Sequence, residues 1–225
     1  MIDQSSYGRS GQFSLPLATL RVYDPDSLVL GSSNHLALEL IERPDHWHNG
    51  CALIVGDEAS GKSHMLEVFA WKHQIVRLRA DQLYLAYSAP TLAVDDIQLL
   101  VDNPEGQKVL FHLINRAVLG ELNILMASRR PVGILDLEVQ DLASRLAAAS
   151  TAIIGSPDET LLAQLLTKHF ADAQVEVKPA VIDFIVSRIE RSYVAVSRAA
   201  AVVNSLALAE KRAITVPLVK EVLAL

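Results

Sequence analysis

The chain has 225 residues, of which 51% are hydrophobic, and its 20 lysines and arginines stand against 26 aspartates and glutamates, a formal net charge of −6 at pH 7. That apolar content excludes a disordered chain, and the length allows one full core plus a smaller second unit. Scattered basic residues argue against strong direct DNA binding, one cysteine excludes an internal disulfide framework, and no run resembles a signal peptide or a membrane span, so a globular cytoplasmic protein is expected.

The amino-terminal stretch is polar except for Gln12-Phe13-Ser14-Leu15-Pro16-Leu17. Two readings of this hexapeptide are open. Gln12 can hydrogen-bond at a pocket rim while Leu15 and Leu17, held extended by Pro16, enter an apolar groove of another protein; alternatively the segment is a short strand packed on its own domain. Further on, Gly31-Ser32-Ser33-Asn34-His35-Leu36-Ala37 precedes an apolar run at 51–55, which enters Gly56-Asp57-Glu58-Ala59-Ser60-Gly61-Lys62-Ser63. This octapeptide fits the phosphate-binding pattern G-x-x-x-x-G-K-[ST] without a mismatch and is followed by helical periodicity. Backbone N–H groups of Gly56, Ala59, Ser60 and Gly61 can cradle phosphate oxygens, the following helix adds its dipole, Lys62 supplies countercharge, Ser63 offers a hydroxyl to Mg²⁺, and His64 adjoins the loop.

Strand-like runs at 52–55, 75–79, 92–94, 124–127 and 152–154 alternate with helix-period stretches at 65–73, 106–119 and 137–148. That order predicts an α/β unit, a five-stranded parallel sheet between helices. After Pro157 the strands stop, and four apolar-periodic segments follow near 159–170, 180–189, 194–209 and 217–223. They predict a small all-α unit, and Ser156-Pro157-Asp158-Glu159 reads as its helix-start boundary. The organisation is thus a tail over 1–19, an α/β domain over 20–155 and a helical domain over 156–225.

The run Thr91-Leu92-Ala93-Val94-Asp95-Asp96 is an apolar strand ending in two carboxylates. Behind a phosphate loop, Asp95 would hold the Mg²⁺ shell together with Ser63, and Asp96 would orient or deprotonate the attacking water. The strand ending Ala127-Ser128-Arg129 offers Ser128 either as a sensor of the γ-phosphate region or as a turn serine. The seven histidines show no metal-site spacing, and Cys51 reads as a small buried hydrophobe.

The segment around Gly31 and Asn34, the phosphate loop, Val94-Asp95-Asp96-Ile97-Gln98, the Ser128 strand end, Leu142-Ala143-Ser144-Arg145-Leu146 and the closing stretch 214–223 together resemble the DnaA/Hda branch of the AAA+ ATPases across nearly the whole chain. Within that branch the chain looks like the Hda regulators: it ends after the helical unit, where a DnaA initiator continues into a helix-turn-helix domain. The resemblance implies an AAA+ fold with a helical lid, bound ADP or ATP with Mg²⁺, and a base-bordering role for Gly31 and Asn34. It implies that Arg145 is an arginine finger presented to DnaA–ATP, and that residues 12–17 bind the DNA polymerase III sliding clamp, its beta subunit. Such a chain would stimulate DnaA's ATPase at the replisome, repress re-initiation, turn over slowly itself and possess a capacity for homo-oligomers. Two departures stand out. Few residues separate Arg79 from Thr91, and Val194 occupies the place of the lid's sensing arginine, with Arg198 one turn later on the same face. An autonomous ATPase of helicase-loader or transposition type, or a nucleotide kinase, is the competing reading.

Overall fold

In the computed structural model, which describes residues 28–79 and 89–223, the apolar runs form β1 (Cys51–Val55), β2 (Val76–Arg79), β3 (Thr91–Asp95), β4 (Asn123–Ser128) and β5 (Ser150–Ile153). They make one sheet in the order β2-β3-β4-β1-β5, and every pairing is parallel. The hexapeptide 12–17 lies outside the described residues.

Successive side chains on a strand point to opposite faces, so a continuous apolar run serves two cores at once. Cys51, Leu53 and Val55 of β1, Leu92 and Val94 of β3, and Ile124 and Met126 of β4 enter one core. Helices α3 (Gln98–Val101), α4 (Pro104–Val118) and α5 (Gln140–Ala148) cover it. The alternate residues Ala52, Ile54, Ala93, Leu125 and Ala127 enter the other core, under α1 (His35–Glu42) and α2 (Lys62–His73).

Helices α6 (Glu159–Asp172), α7 (Pro179–Val186), α8 (Tyr193–Glu210) and α9 (Val216–Leu223) enclose a third core around Leu166, Phe170, Ile185, Val203 and Leu218. Asp158 caps α6, its carboxylate accepting the Leu161 N–H at 2.8 Å, which is the local chemistry legible in Ser156-Pro157-Asp158-Glu159. Two residues of this helical lid, Leu161 and Tyr193, pack into the core beneath α1 and α2. No described helix is long and apolar enough to cross a membrane.

The structure extends the reading at two places. Helix α1 occupies residues read only as a segment bordering a base, and α4 begins at Pro104, two residues earlier than periodicity indicates. There Asn103 accepts the Glu105 N–H at 2.9 Å, and proline fits the first helical turn because its missing N–H would be unpaired anyway.

Candidate functional site

The register aligns Val55 of β1 with Ser128 of β4 and with Ile153 of β5, so the phosphate loop, the acidic pair and Ser128 leave the same, carboxyl edge of the sheet. In open parallel sheets this edge is where ligands bind. The loop is anchored by the Gly56 N–H, which donates to the Ser128 carbonyl at 3.1 Å. A Cβ on Gly56 would stand 2.8 Å from Ser60 Oγ and 2.9 Å from Ile154 Cβ, so only glycine fits the turn. Ala59 (φ 61°) and Gly61 (φ 92°) both take left-handed backbone, and Lys62, Ser63 and His64 form the first turn of α2. This is the geometry of an anion-binding concavity, with N–H groups and a helix dipole converging.

Lys62 is buried, and its ammonium donates to the carbonyls of Gly56 and Asp57, each at 2.7 Å. Burial pulls its pKa below the ordinary lysine value, with Asp96 the strongest opposing influence. Ser60, also buried, lies 3.4 Å from the same ammonium. The loop's backbone donors and the charge of Lys62 suit a polyphosphate. Ser63 and Asp95 offer oxygen donors of the kind Mg²⁺ takes.

At the end of β3, Asp95 is buried and accepts the Asp96 N–H at 3.0 Å. Asp96 adopts φ 53°, a left-handed position that aspartate tolerates better than most residues. Its carboxylate accepts from Gln98 Nε2 at 2.7 Å and lies 3.5 Å from Arg129 Nε. Ser128 is buried, and its hydroxyl donates to the Arg130 carbonyl at 2.7 Å, which closes a turn at the strand end.

Asn34 is buried with both amide groups engaged: it donates to Val29 O at 2.9 Å and accepts the Gly31 N–H at 2.8 Å. It therefore shapes its segment from within. That segment meets the lid, with Ser32 donating to Asp158 at 2.9 Å, Ser33 Oγ 2.8 Å from the Tyr193 hydroxyl, and Gly31 so close to Leu161 that a Cβ would stand 3.0 Å away. Burial raises the Tyr193 pKa, the Ser33 bond opposes it, and the carboxylates of Asp158 and Asp57 add to it. Tyr193 opens the first turn of α8. Val194, 44% exposed, follows in that turn, and Arg198 is exposed one turn further on.

Arg145 is set apart from all of these. It lies in the last turn of α5, its guanidinium 5.4 Å from the Phe111 ring centroid, and lines a cavity of about 170 Å³ with Cys51, His48 and Ile114. Cys51 begins β1, roughly 13 Å of extended strand away from Val55, where the phosphate loop starts.

Solved structures share this architecture. Domain III of the Thermotoga maritima replication initiation protein DnaA superposes with a TM-score of 0.74 at 19% identity, covering 90% of this chain and 95% of that one. AMPPCP-bound DnaA from Aquifex aeolicus gives 0.66 at 22% identity, covering 83% of this chain and 65% of that one. In sequence, the chromosomal replication initiator protein DnaA of Cutibacterium acnes is 28% identical over 196 residues, 75% of this chain and 39% of that protein. The chain thus spans about two fifths of the length of that relative. Residues 158–223 match the family described as Hda, lid domain. The chain has the AAA+ fold of DnaA domain III, and its helical lid matches the Hda lid family.

Two arginines that stand in no motif are also built into the site. Arg129 joins the phosphate loop to the acidic pair, with its Nη1 3.2 Å from Glu58 and its backbone N–H donating to Gln98 Oε1 at 3.2 Å. Arg77 of β2 donates to Asp95 at 2.5 Å and to Glu67 of α2 at 2.9 Å. Burial disfavours its charge, but the bonds to Asp95 and Glu67 outweigh that and raise its pKa. The available clue was the pattern Val76-Arg77-Leu78-Arg79: a charge in a strand of a two-faced sheet requires a partner.

Proposed function

We propose that this protein is a nucleotide-binding regulator, tethered to the sliding clamp, that stimulates ATP hydrolysis by the replication initiator DnaA and so represses re-initiation of chromosome replication. The observation that carries this reading is the separation of Arg145 from the chain's own phosphate loop, by the length of β1. A guanidinium at the far end of the strand cannot serve the nucleotide held in cis, but it can enter the site of a neighbouring molecule. The match of residues 158–223 to the Hda lid domain supports the regulator within the branch.

In this reading Gly56, Ala59, Ser60, Gly61, Lys62, Ser63 and His64 hold the phosphates of ADP or ATP, the segment shaped by Gly31 and Asn34 borders the base, and Ser63 and Asp95 would offer oxygens to Mg²⁺ when it accompanies the nucleotide. The metal, when bound, neutralises phosphate charge. Lys62 contributes countercharge from within the loop, and the lid closes over the segment through Ser32 and Ser33. Asp96 has its carboxylate engaged by Gln98 and near Arg129 instead of free to meet a water, which suits slow turnover in cis. Ser128 fixes the loop through its carbonyl and stands where a γ-phosphate sensor would. With Val194 in the lid's sensing place, Arg198 is the lid cation left to approach the nucleotide.

Docking of residues 12–17 on the clamp supplies the tether. The test is conversion of DnaA-bound ATP to ADP in the presence of DNA-loaded clamp. The wild-type chain accelerates it, and a Leu15→Ala, Leu17→Ala double variant neither binds the clamp nor accelerates conversion. A wild-type chain that leaves the rate unchanged contradicts the proposal. The convergence of phosphate loop, Asp95 and Asp96 at one edge favours a second reading, an autonomous ATPase of helicase-loader or transposition type. DNA-stimulated ATP turnover by the chain alone would establish that reading instead.

A further inference from the structure

A phosphate loop with an acidic strand end ordinarily works as a charge system in which a divalent cation balances the carboxylate and the phosphates together. Here the carboxylate already has a cation. Arg77 Nη2 lies 2.5 Å from Asp95 Oδ2, while Asp95 Oδ1 accepts the Asp96 N–H at 3.0 Å, so each carboxylate oxygen carries a donor. The pair is well shielded: the Asp95 side chain is 5% exposed and that of Arg77 23%. Glu67 of α2, 2.9 Å from Nη1, braces the guanidinium from its other side, and Arg77 Nε is buried without a hydrogen-bond partner among the described residues.

A carboxylate has about four acceptor positions, so Asp95 keeps room for metal-bound water. Its attraction for a cation is a different matter. A guanidinium in contact, in surroundings less polarisable than water, matches most of the carboxylate's charge before any metal arrives. The interaction that normally draws Mg²⁺ to the strand end is thereby spent inside the fold, whereas the loop N–H groups and the α2 dipole, which hold the phosphates, do not depend on Asp95.

We infer that Arg77 is a fixed internal cation for Asp95, a positioning residue that lets this protein hold a nucleoside diphosphate nearly independently of Mg²⁺. The diphosphate is the fitting ligand because it carries less charge for the loop and Lys62 to balance unaided. This inference rests on the nucleotide-binding part of the proposed function.

The test is the dissociation constant of N-methylanthraniloyl-ADP, measured on the full chain with excess Mg²⁺ and with EDTA, alongside Mn²⁺ binding to the ADP complex by electron paramagnetic resonance. Chelation is expected to change the wild-type constant by less than about fivefold, with weak Mn²⁺ binding. Arg77→Met, which frees the Asp95 charge, is expected to bind Mn²⁺ more tightly and to lose more than about fivefold on chelation, and Arg77→Lys, which keeps the charge but not the two-armed fork, to restore indifference to the metal in part. A purely structural Arg77 would alter stability without altering metal dependence. Wild type that loses more than about fivefold on chelation overturns the inference and leaves nucleotide binding intact. So does a folded Arg77→Met that is as metal-indifferent as wild type. Absence of ADP binding in both conditions overturns the inference together with the nucleotide-binding reading. Should Arg77→Met fail to fold, Arg77→Gln, which keeps a hydrogen-bond donor without the charge, takes its place with the same two outcomes.

Discussion

Cys51 is 2% exposed at the start of β1, and burial pushes its thiol up to about 11 from 9.0, with Arg145 opposing. Because the folded-state pKa is raised, the unfolded chain loses this proton first, so stability is unaffected below pH 9.0 and declines as pH rises from there towards about 11. We expect urea unfolding midpoints to fall across that interval and Cys51→Ala to flatten the fall; an equal fall in the variant would assign it to other groups. Reading Cys51 as a buried hydrophobe needed only its place in an apolar strand. Arg77 and Arg129 were not legible in the same way, because their partners Asp95 and Glu58 lie 18 and 71 residues distant, and pairing of that kind follows from sheet order. Ser128 shows a further limit: its residue type suits both a phosphate sensor and a turn, and the structure shows its hydroxyl engaged in the turn.

Elements were legible where their chemistry is local. The Asp158 cap, the strand periodicity and the glycine-bounded loop each involve residues within a few positions of one another. Helix α1 escaped because its carboxyl end runs into a buried Trp47, whose indole N–H donates to Leu40 O at 2.8 Å, and Asn34 at its start makes no side-chain cap. The attachment of the lid was equally hidden, since Ser33 and Tyr193 are 160 residues apart. Tyr193→Phe removes that hydroxyl contact alone and should cost about 1 kcal/mol. Amide exchange at the first turns of α6 and α8 should quicken while β1 and β4 stay protected. Unchanged exchange in the lid would show that the contact does not hold it.

At the scale of the molecule, the α/β class and the helical lid follow from alternation of strands and helices and from the point where strands cease. The sheet order, with β1 between β4 and β5, then divides the functions by edge. Phosphate loop and acidic pair share the carboxyl edge, while Arg145 stands at the amino end of β1. The proposed action on a second molecule rests on that division. An arginine finger contributes on the order of 10³ to 10⁵ in phosphoryl-transfer rate. The decisive measurement is conversion of DnaA-bound ATP on DNA-loaded clamp by the Arg145→Ala protein, with its clamp binding and ADP binding verified first. The account predicts that the variant binds both as wild type does and loses the stimulation. A variant that stimulates as well as wild type would contradict it.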